Sequence, residues 1–443
     1  MRTENAAVLG ATDLRAHAAV FGEELAYAGL QLALEDRRPA AVLAWAERSR
    51  ASTLQSRPVR PPSDTVMAAE LGHLRAVTAR LREELLAGRS GAELRQQQLR
   101  LESAVRARAR HARGGSDAKR ASDAFDLTSL REQLGDRALV ELVRTGTGLQ
   151  AVTMVDGRVT VHGLCDYDAA TTETTALRFA LTRLAHATGS PRVRALAARG
   201  RAVAADRLDT LVLAPLRGAI ADRPLVVVPT GDLHALPWPV LPSLVGRPTV
   251  VAPSARLWQR AARGEPRSGG VVLVAGPRLD HAEAEITALS GCYDDAVTIT
   301  GAAATADAVS RAIDGAALAH LATHGQFRSD NPQFSALELA DGPLTVYDLE
   351  RLSDPPWTVV LSACDSGLSE VRPGDELMGL VAAVLALGTR TLVASAVPVA
   401  DEPTQPFMQA FHRRLIAGVG AAEALAATSA ETELDGFVCL GAG

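Results

Sequence analysis

The chain has 443 residues, 47% of them hydrophobic and 22% charged, with a formal net charge of −5. That length is too great for one core, so two or three domains are expected, and the acidic balance argues against a dedicated nucleic-acid binder. The sequence has no apolar run of about eighteen residues, no basic-then-apolar start, and no C-x-x-C pair among Cys165, Cys292, Cys364 and Cys439. Together these predict a protein of the reducing cytoplasm with no membrane partner, no zinc knuckle and no disulfide scaffold.

Residues 12–113 are rich in Ala, Leu, Arg and Glu and read as helical. Over 13–34, Leu14, Ala18, Phe21, Leu25, Ala28 and Leu32 fall at three-and-four spacing on one face. Pro39 closes that stretch, and a second helix over 40–55 turns Val42, Leu43, Ala46 and Leu54 inward. Small residues where the two would touch (Gly22, Ala26, Ala28, Gly29, Ala46) fit an αα-hairpin of the tetratricopeptide type, assigned to residues 1–60. One such pair cannot bury its own face and must pack on the rest of the chain or on a partner. After the proline-rich 57–64, Leu71, Leu74, Leu81 and Leu85 follow heptad spacing, and Leu94, Leu101 and Val105 resume it beyond glycines 88 and 91. Residues 61–125 are therefore a helical hairpin and linker, with an arginine-rich outer face read as solvated.

From residue 127 the pattern changes. The runs 138–143, 149–155 and 158–164 are short, β-rich and joined by glycine turns. Residues 171–199 return to helix, with Gly200 as the stop. Buried strands are expected within 223–241, 248–260 and 269–277, helices at 281–289 and 306–313, and a hairpin at 334–352 turning at Asp341-Gly342. A strand ending at Cys364, a helix over 376–387, a strand over 390–399, helices over 404–417 and through Ala430, and a final short strand over 437–443 complete the chain. Continuous Val, Leu and Ala strands alternating with helices mean a mostly parallel sheet covered on both faces.

Two of these strands carry the chemistry. ALAHLATHG ends on His324-Gly325, and TVVLSACDSG ends on Cys364, followed by Asp365, Ser366 and Gly367. Reactive groups in open α/β sheets sit beyond the carboxyl ends of strands. A thiol becomes a nucleophile when a base lowers its pKa, so Cys364 and His324 are candidates for nucleophile and base. The backbone N–H groups of Gly325 and Cys364 can face the oxygen of a tetrahedral intermediate. His320, inside its strand, reads as core, His234 as a structural hydrogen-bonding group, and Cys165, Cys292 and Cys439 as packing residues.

HLATHGQF, the DG hairpin, VVLSACDSG and GDELMGLVAAVLALGTRTLVASAVPV, in that order, resemble the CHAT domain of the caspase–separase group of cysteine peptidases. The resemblance extends upstream through LVVVPTGDLHALPWPVL and covers about 127–443. It implies a caspase-like α/β fold: a degenerate supporting subdomain over 126–268 and an active one over 269–443, preceded by an all-α region. His324 and Cys364 match the family's catalytic dyad, and the Gly325 and Cys364 amides its oxyanion hole. The family's Trp-x-Val-Asp-Asp stretch is here Ala396-Val397-Pro398-Val399-Ala400-Asp401-Glu402, without the Trp. In this fold Asp365, Asp375, Glu376 and Asp401 lie on loops around the strand ends, where carboxylates favour an Arg or Lys side chain before the scissile bond. Asp375 and Glu376 also suit a helix cap.

The resemblance thus implies a cytoplasmic cysteine endopeptidase acting on a protein substrate, with no metal or cofactor. Latency until a partner engages the N-terminal helices, and a role in bacterial antiphage defence or regulated death, follow at family level. The competing expectation is a non-catalytic scaffold that keeps the fold as an interaction module.

Overall fold

The computed structural model describes residues 27–50, 65–111, 125–186, 190–264, 269–326, 328, 331–362, 384–385, 387–432 and 434–443. Its centre is an eleven-stranded sheet. A helix over 27–35 and α1 (Pro39–Ser49) come first. They meet where the expected small residue stands: a Cβ on Gly29 would lie 2.5 Å from the Trp45 ring. The helical hairpin is α2 (Thr65–Leu86) and α3 (Ala92–His111), with glycines 88 and 91 left-handed at the turn. Leu71, Leu74, Leu81 and Val105 are buried, but Leu85 is exposed. α4 (Leu127–Leu134) is capped by Asp126, whose carboxylate accepts from the Thr128 and Ser129 amides.

The antiparallel meander is β1 (Ala138–Thr145), β2 (Gly148–Val155) and β3 (Arg158–Asp166). The single helix expected over 171–199 is two, α5 (Tyr167–Ala185) and α6 (Pro191–Leu208). Pro191 starts the second, as its fixed φ and missing N–H favour. Gly200 does not stop it: it lies inside α6, where a Cβ would sit 3.7 Å from the Ala180 Cβ of α5. A methyl group there would make only an ordinary contact, so the packing of α6 on α5 does not require the glycine.

β4 (Leu225–Val228), β5 (Thr249–Val251), α7 (Ala255–Ala262), β6 (Val271–Ala275) and α8 (Ala282–Ser290) follow. Next come β7 (Val297–Ile299), α9 (Ala306–Ile313), β8 (Leu318–Ala322), β9 (Gly325–Gln326), β10 (Ala336–Leu339) and β11 (Gly342–Thr345). The chain ends with β12 (Thr358–Leu361), β13 (Thr391–Ser395), α10 (Asp401–Ile416), α11 (Ala421–Thr432) and β14 (Phe437–Gly441). The edge strand β7 was not anticipated. The helix expected over 376–387 falls mostly outside the described residues.

The sheet order is β3-β2-β1-β4-β5-β14-β13-β12-β8-β6-β7, and β9, β10 and β11 form a separate three-stranded sheet. The β1–β4, β4–β5, β5–β14, β13–β12, β12–β8, β8–β6 and β6–β7 pairs are parallel. Among the described residues of the large sheet, only the meander and β13–β14 are antiparallel, as expected of a mostly parallel sheet. The last strand lies between β5 and β13, so the two halves of the chain share one sheet. Alternate residues of a strand enter opposite cores: Val140 and Leu142 pack on one face, Leu139 and Val143 on the other.

The all-α region is tied to the sheet by charge. Glu47 of α1 accepts from the Ala255 and Arg256 amides (2.7 and 2.8 Å) at the start of α7, a carboxylate placed at a helix N-terminus. Arg50 donates to the Leu142 and Pro229 carbonyls and lies 3.2 Å from the Glu141 carboxylate in β1. The face of α2 expected to be solvated is partly docked. Arg75 is buried and reaches Asp348 at 2.7 Å, Asp307 at 3.4 Å and Asp341 at 3.7 Å.

Candidate functional site

The parallel pair β8–β12 organises the site. Thr358 lies opposite Leu318 and Leu361 opposite Leu321, and the Ser362 amide donates to the Leu321 carbonyl. His324 follows Leu321 by three residues, and in sequence Cys364 follows Leu361 by the same three. Cys364 itself, with Asp365, Asp375 and Glu376, lies outside the described residues. Asp401 opens α10, but its side chain is also outside them.

His324 is half-buried, and two neighbouring segments hold it. Its carbonyl accepts from the Glu338 amide at 2.8 Å. The preceding Thr323 hydroxyl donates to the Glu338 carbonyl. Its ring Nε2 lies 3.0 Å from the Arg278 carbonyl. A carbonyl only accepts, so that contact selects the tautomer with hydrogen on Nε2 and leaves Nδ1 as the basic nitrogen. Arg278 is left-handed, with φ 59°, a costly conformation for a non-glycine residue. The Glu338 carboxylate pairs with Arg278, and Arg82 of α2 pairs with the same carboxylate. Gly325 opens β9 opposite Leu337. Just beyond, Arg328 donates to Glu102 of α3 at 2.8 and 3.2 Å. Segments on both sides of His324 are thus tied to the α2–α3 hairpin.

Around His320 of β8 is a set of polar residues that sequence reasoning did not assemble. His320 is buried, as expected, but it is no inert core residue. Its Nε2 lies 2.8 Å from Glu285 Oε1 and its Nδ1 lies 3.0 Å from His412 Nε2. The Tyr293 hydroxyl is 2.7 Å from His412 Nδ1, and Ser362 Oγ donates to Glu285 Oε2 at 3.1 Å. Burial and the neighbouring His320 hold His412 well below the usual imidazole range. Burial and the nearby Cys292 push the Tyr293 phenol up. The available signal was a polar residue at an apolar helical position: Glu285 among Ala282, Ile286 and Leu289, and His412 beside Met408 and Phe411.

The other singled-out residues stand apart from this site. His234 makes no hydrogen bond through Nδ1 among the described residues, against expectation, and burial with nearby Arg50 pushes it down to about 3. It is neutral and structural. Cys439 is buried in β14 and its thiol is pushed up to about 12, as a packing residue's would be. Cys292 Sγ donates to the Ala288 carbonyl at 3.6 Å. Among the described residues no group of three or more His, Cys, Asp or Glu side chains is arranged to hold a metal ion. No described helix is long and apolar enough to cross a membrane.

Comparison with known proteins agrees with this architecture. No curated protein matches the sequence. Two crystal structures of the Saccharomyces cerevisiae separase–securin complex share the fold. One, at 3.0 Å resolution, aligns with TM-score 0.52 and 10% identity over 71% of this chain and 30% of that one. The other, at 2.6 Å, aligns with TM-score 0.53 and 10% identity over 91% and 36%. The chain therefore spans about a third of those proteins. The CHAT domain family model matches residues 202–433, more than half of the sequence. The chain belongs to the CHAT domain family and has the separase-like, caspase-type fold.

Proposed function

We infer that the protein is a cysteine endopeptidase in which Cys364 is the nucleophile and His324 the base. What supports this reading is that His324 and Cys364 each follow, by the same three residues in sequence, the paired positions Leu321 and Leu361 of β8 and β12. In the proposed mechanism, His324 Nδ1 takes the thiol proton while Nε2–H stays bonded to the Arg278 carbonyl, which also stabilises the imidazolium that forms. The thiolate adds to the peptide carbonyl, and the Gly325 and Cys364 amides receive the developing oxyanion. Nδ1–H then protonates the leaving amine as the C–N bond breaks. Water, deprotonated by the same nitrogen, hydrolyses the thioester and returns the thiol.

The substrate is a protein cut after Arg or Lys, a specificity assigned to Asp365, Asp375, Glu376 and Asp401. The separase structures are complexes with securin, a protein partner, and an activating protein at the N-terminal helices is the corresponding proposal here. Contacts from Arg82 and Glu102 to the segments around His324 support a latent enzyme that such a partner switches on. Cytoplasmic location and a place in bacterial defence rest on family membership. The test is a panel of fluorogenic peptides varied before the scissile bond. Selective turnover of Arg and Lys peptides, alone or with a partner encoded nearby, is expected. No turnover of any peptide with either would leave the scaffold alternative.

A further inference from the structure

Gly200 is exposed in the middle of α6, between buried Ala197 and Ala204. Glycine inside a helix is less favourable than alanine, and neither a helix stop nor the packing of α6 on α5 accounts for it here. Its surroundings show what the missing side chain leaves open. Ala180 of α5 faces Gly200, and Glu173 pairs with Arg207 at 2.9 Å, so the two helices run antiparallel in one register. Arg192, Leu196, Arg199 and Val203 stand at three-and-four spacing on the flank of α6 beside Gly200, and all four are exposed. On α5, Ala176, Phe179 and Arg183 form the matching exposed row beside Ala180. The register brings Phe179, Leu196 and Val203 within about 10 Å of one another along the hairpin. Each is more than half exposed. The two rows flank a shallow furrow whose floor is Ala180 and Gly200.

The charge around this furrow has one sign. Residues 174–205 hold six arginines and no Asp or Glu, in a chain whose net charge is −5. Arg183 lies over the Phe179 ring, its guanidinium carbon 5.7 Å from the ring centroid. Arg201 pairs with Asp435. Carboxylates return only at the far end of the hairpin, with Glu173 and Asp206. Exposed apolar side chains ringed by charge of one sign fit a partner of the opposite sign. A furrow floored by small residues accepts a rod rather than a flat surface. A helix laid along it would set an apolar stripe on Phe179, Leu196 and Val203 and its flanking carboxylates near Arg183, Arg192 and Arg199.

We propose that the α5–α6 furrow is a docking site for an acidic amphipathic helix of a partner protein, and that Gly200 is the residue that lets this helix seat. The site is separate from the N-terminal helices and does not depend on Cys364. In the test, the full chain is titrated against fluorescein-labelled designed helical peptides and binding is read by fluorescence anisotropy. Each peptide carries leucines at i, i+4, i+7 and i+11 flanked by glutamates, and a matched set has lysines in place of the glutamates. The glutamate peptides are expected to bind saturably, and the lysine peptides at least about tenfold more weakly. Gly200→Leu fills the floor while favouring the helix. It is expected to keep or raise the thermal unfolding midpoint and to weaken the glutamate peptides at least about tenfold. Arg183→Glu combined with Arg199→Glu is expected to reverse the preference toward the lysine peptides. Native binding by folded Gly200→Leu overturns the proposal, as does a failure of every glutamate peptide to bind saturably. Should Gly200→Leu fail to fold, the double charge reversal decides, and an unchanged preference overturns the proposal. Tighter binding to phosphatidylserine–phosphatidylcholine vesicles or to duplex DNA than to any peptide, kept in Gly200→Leu, overturns it in favour of a membrane or a nucleic acid.

Discussion

Arg75→Ala tests how firmly the helical hairpin is built into the caspase-like domain. Arg75 is 6% exposed and bridges α2 to Asp348, Asp307 and Asp341. Asp348 is itself 5% exposed, so removing the guanidinium leaves a buried carboxylate without its cation. Breaking a buried pair from one side costs about 3–5 kcal/mol. Asp348 keeps the Thr345 amide (2.9 Å) and hydroxyl (2.7 Å), which places the loss near the lower end. The contacts to exposed Asp307 and half-exposed Asp341 add little. We therefore expect about 3 kcal/mol, measured by urea denaturation, with faster amide exchange confined to α2, α3 and the β10–β11 hairpin. In a double-mutant cycle with Asp348→Asn, most of that loss should appear as coupling. A loss below about 1 kcal/mol would mean that the hairpin is not anchored through Arg75.

Other predictions follow from the same geometry. Gly342 has φ 123°, and a Cβ there would lie 2.7 Å from the Arg75 carbonyl, so Gly342→Ala should cost about 1–3 kcal/mol by denaturation. Glu338→Gln weakens the hold on Arg278 and should lower kcat about tenfold with little change in KM, because it loosens His324 rather than the substrate. Burial raises both Glu47 and Glu141 above the ordinary 4.5. A carboxyl raised in the folded state binds more protons there than in the unfolded chain. Its stabilisation is therefore full below about pH 4.5 and is lost as pH rises through the folded values. Denaturation followed by tryptophan fluorescence at a series of pH values should show that fall, and Glu141→Gln should flatten it.

Much of the sheet was legible because its strands are continuous apolar runs ended by glycine, proline or small polar residues. β4, β6, β8 and β12 fall inside the expected segments, and α9 spans its predicted residues. Errors came where tertiary contact overrides local signal. Gly200 looks like a helix stop but lies inside α6, whose buried Ala197, Ala204, Ala205 and Leu208 carry the helix past it. The hairpin turn lies at Ala340 and Asp341, one residue before the expected pair, because Gly342 is needed in β11 against the α2 backbone. Arg75 sits on an arginine-rich helix, and only distant carboxylates make it a buried residue. His324 is a candidate from its place after a strand. The Arg278 carbonyl that orients it comes from 46 residues away, and no local pattern encodes it. The Glu285–His320–His412 set joins two helices and a strand in the same way.

The central claim is that Cys364 and His324 act as one nucleophilic unit. Covalent capture tests it most directly: the native chain is incubated with a peptidyl-arginine chloromethyl ketone and the adduct is mapped by mass spectrometry. The account predicts an adduct on Cys364 alone, formed at least about a hundredfold more slowly in His324→Ala. Equal labelling of Cys292, or capture at Cys364 that is indifferent to His324, would contradict it.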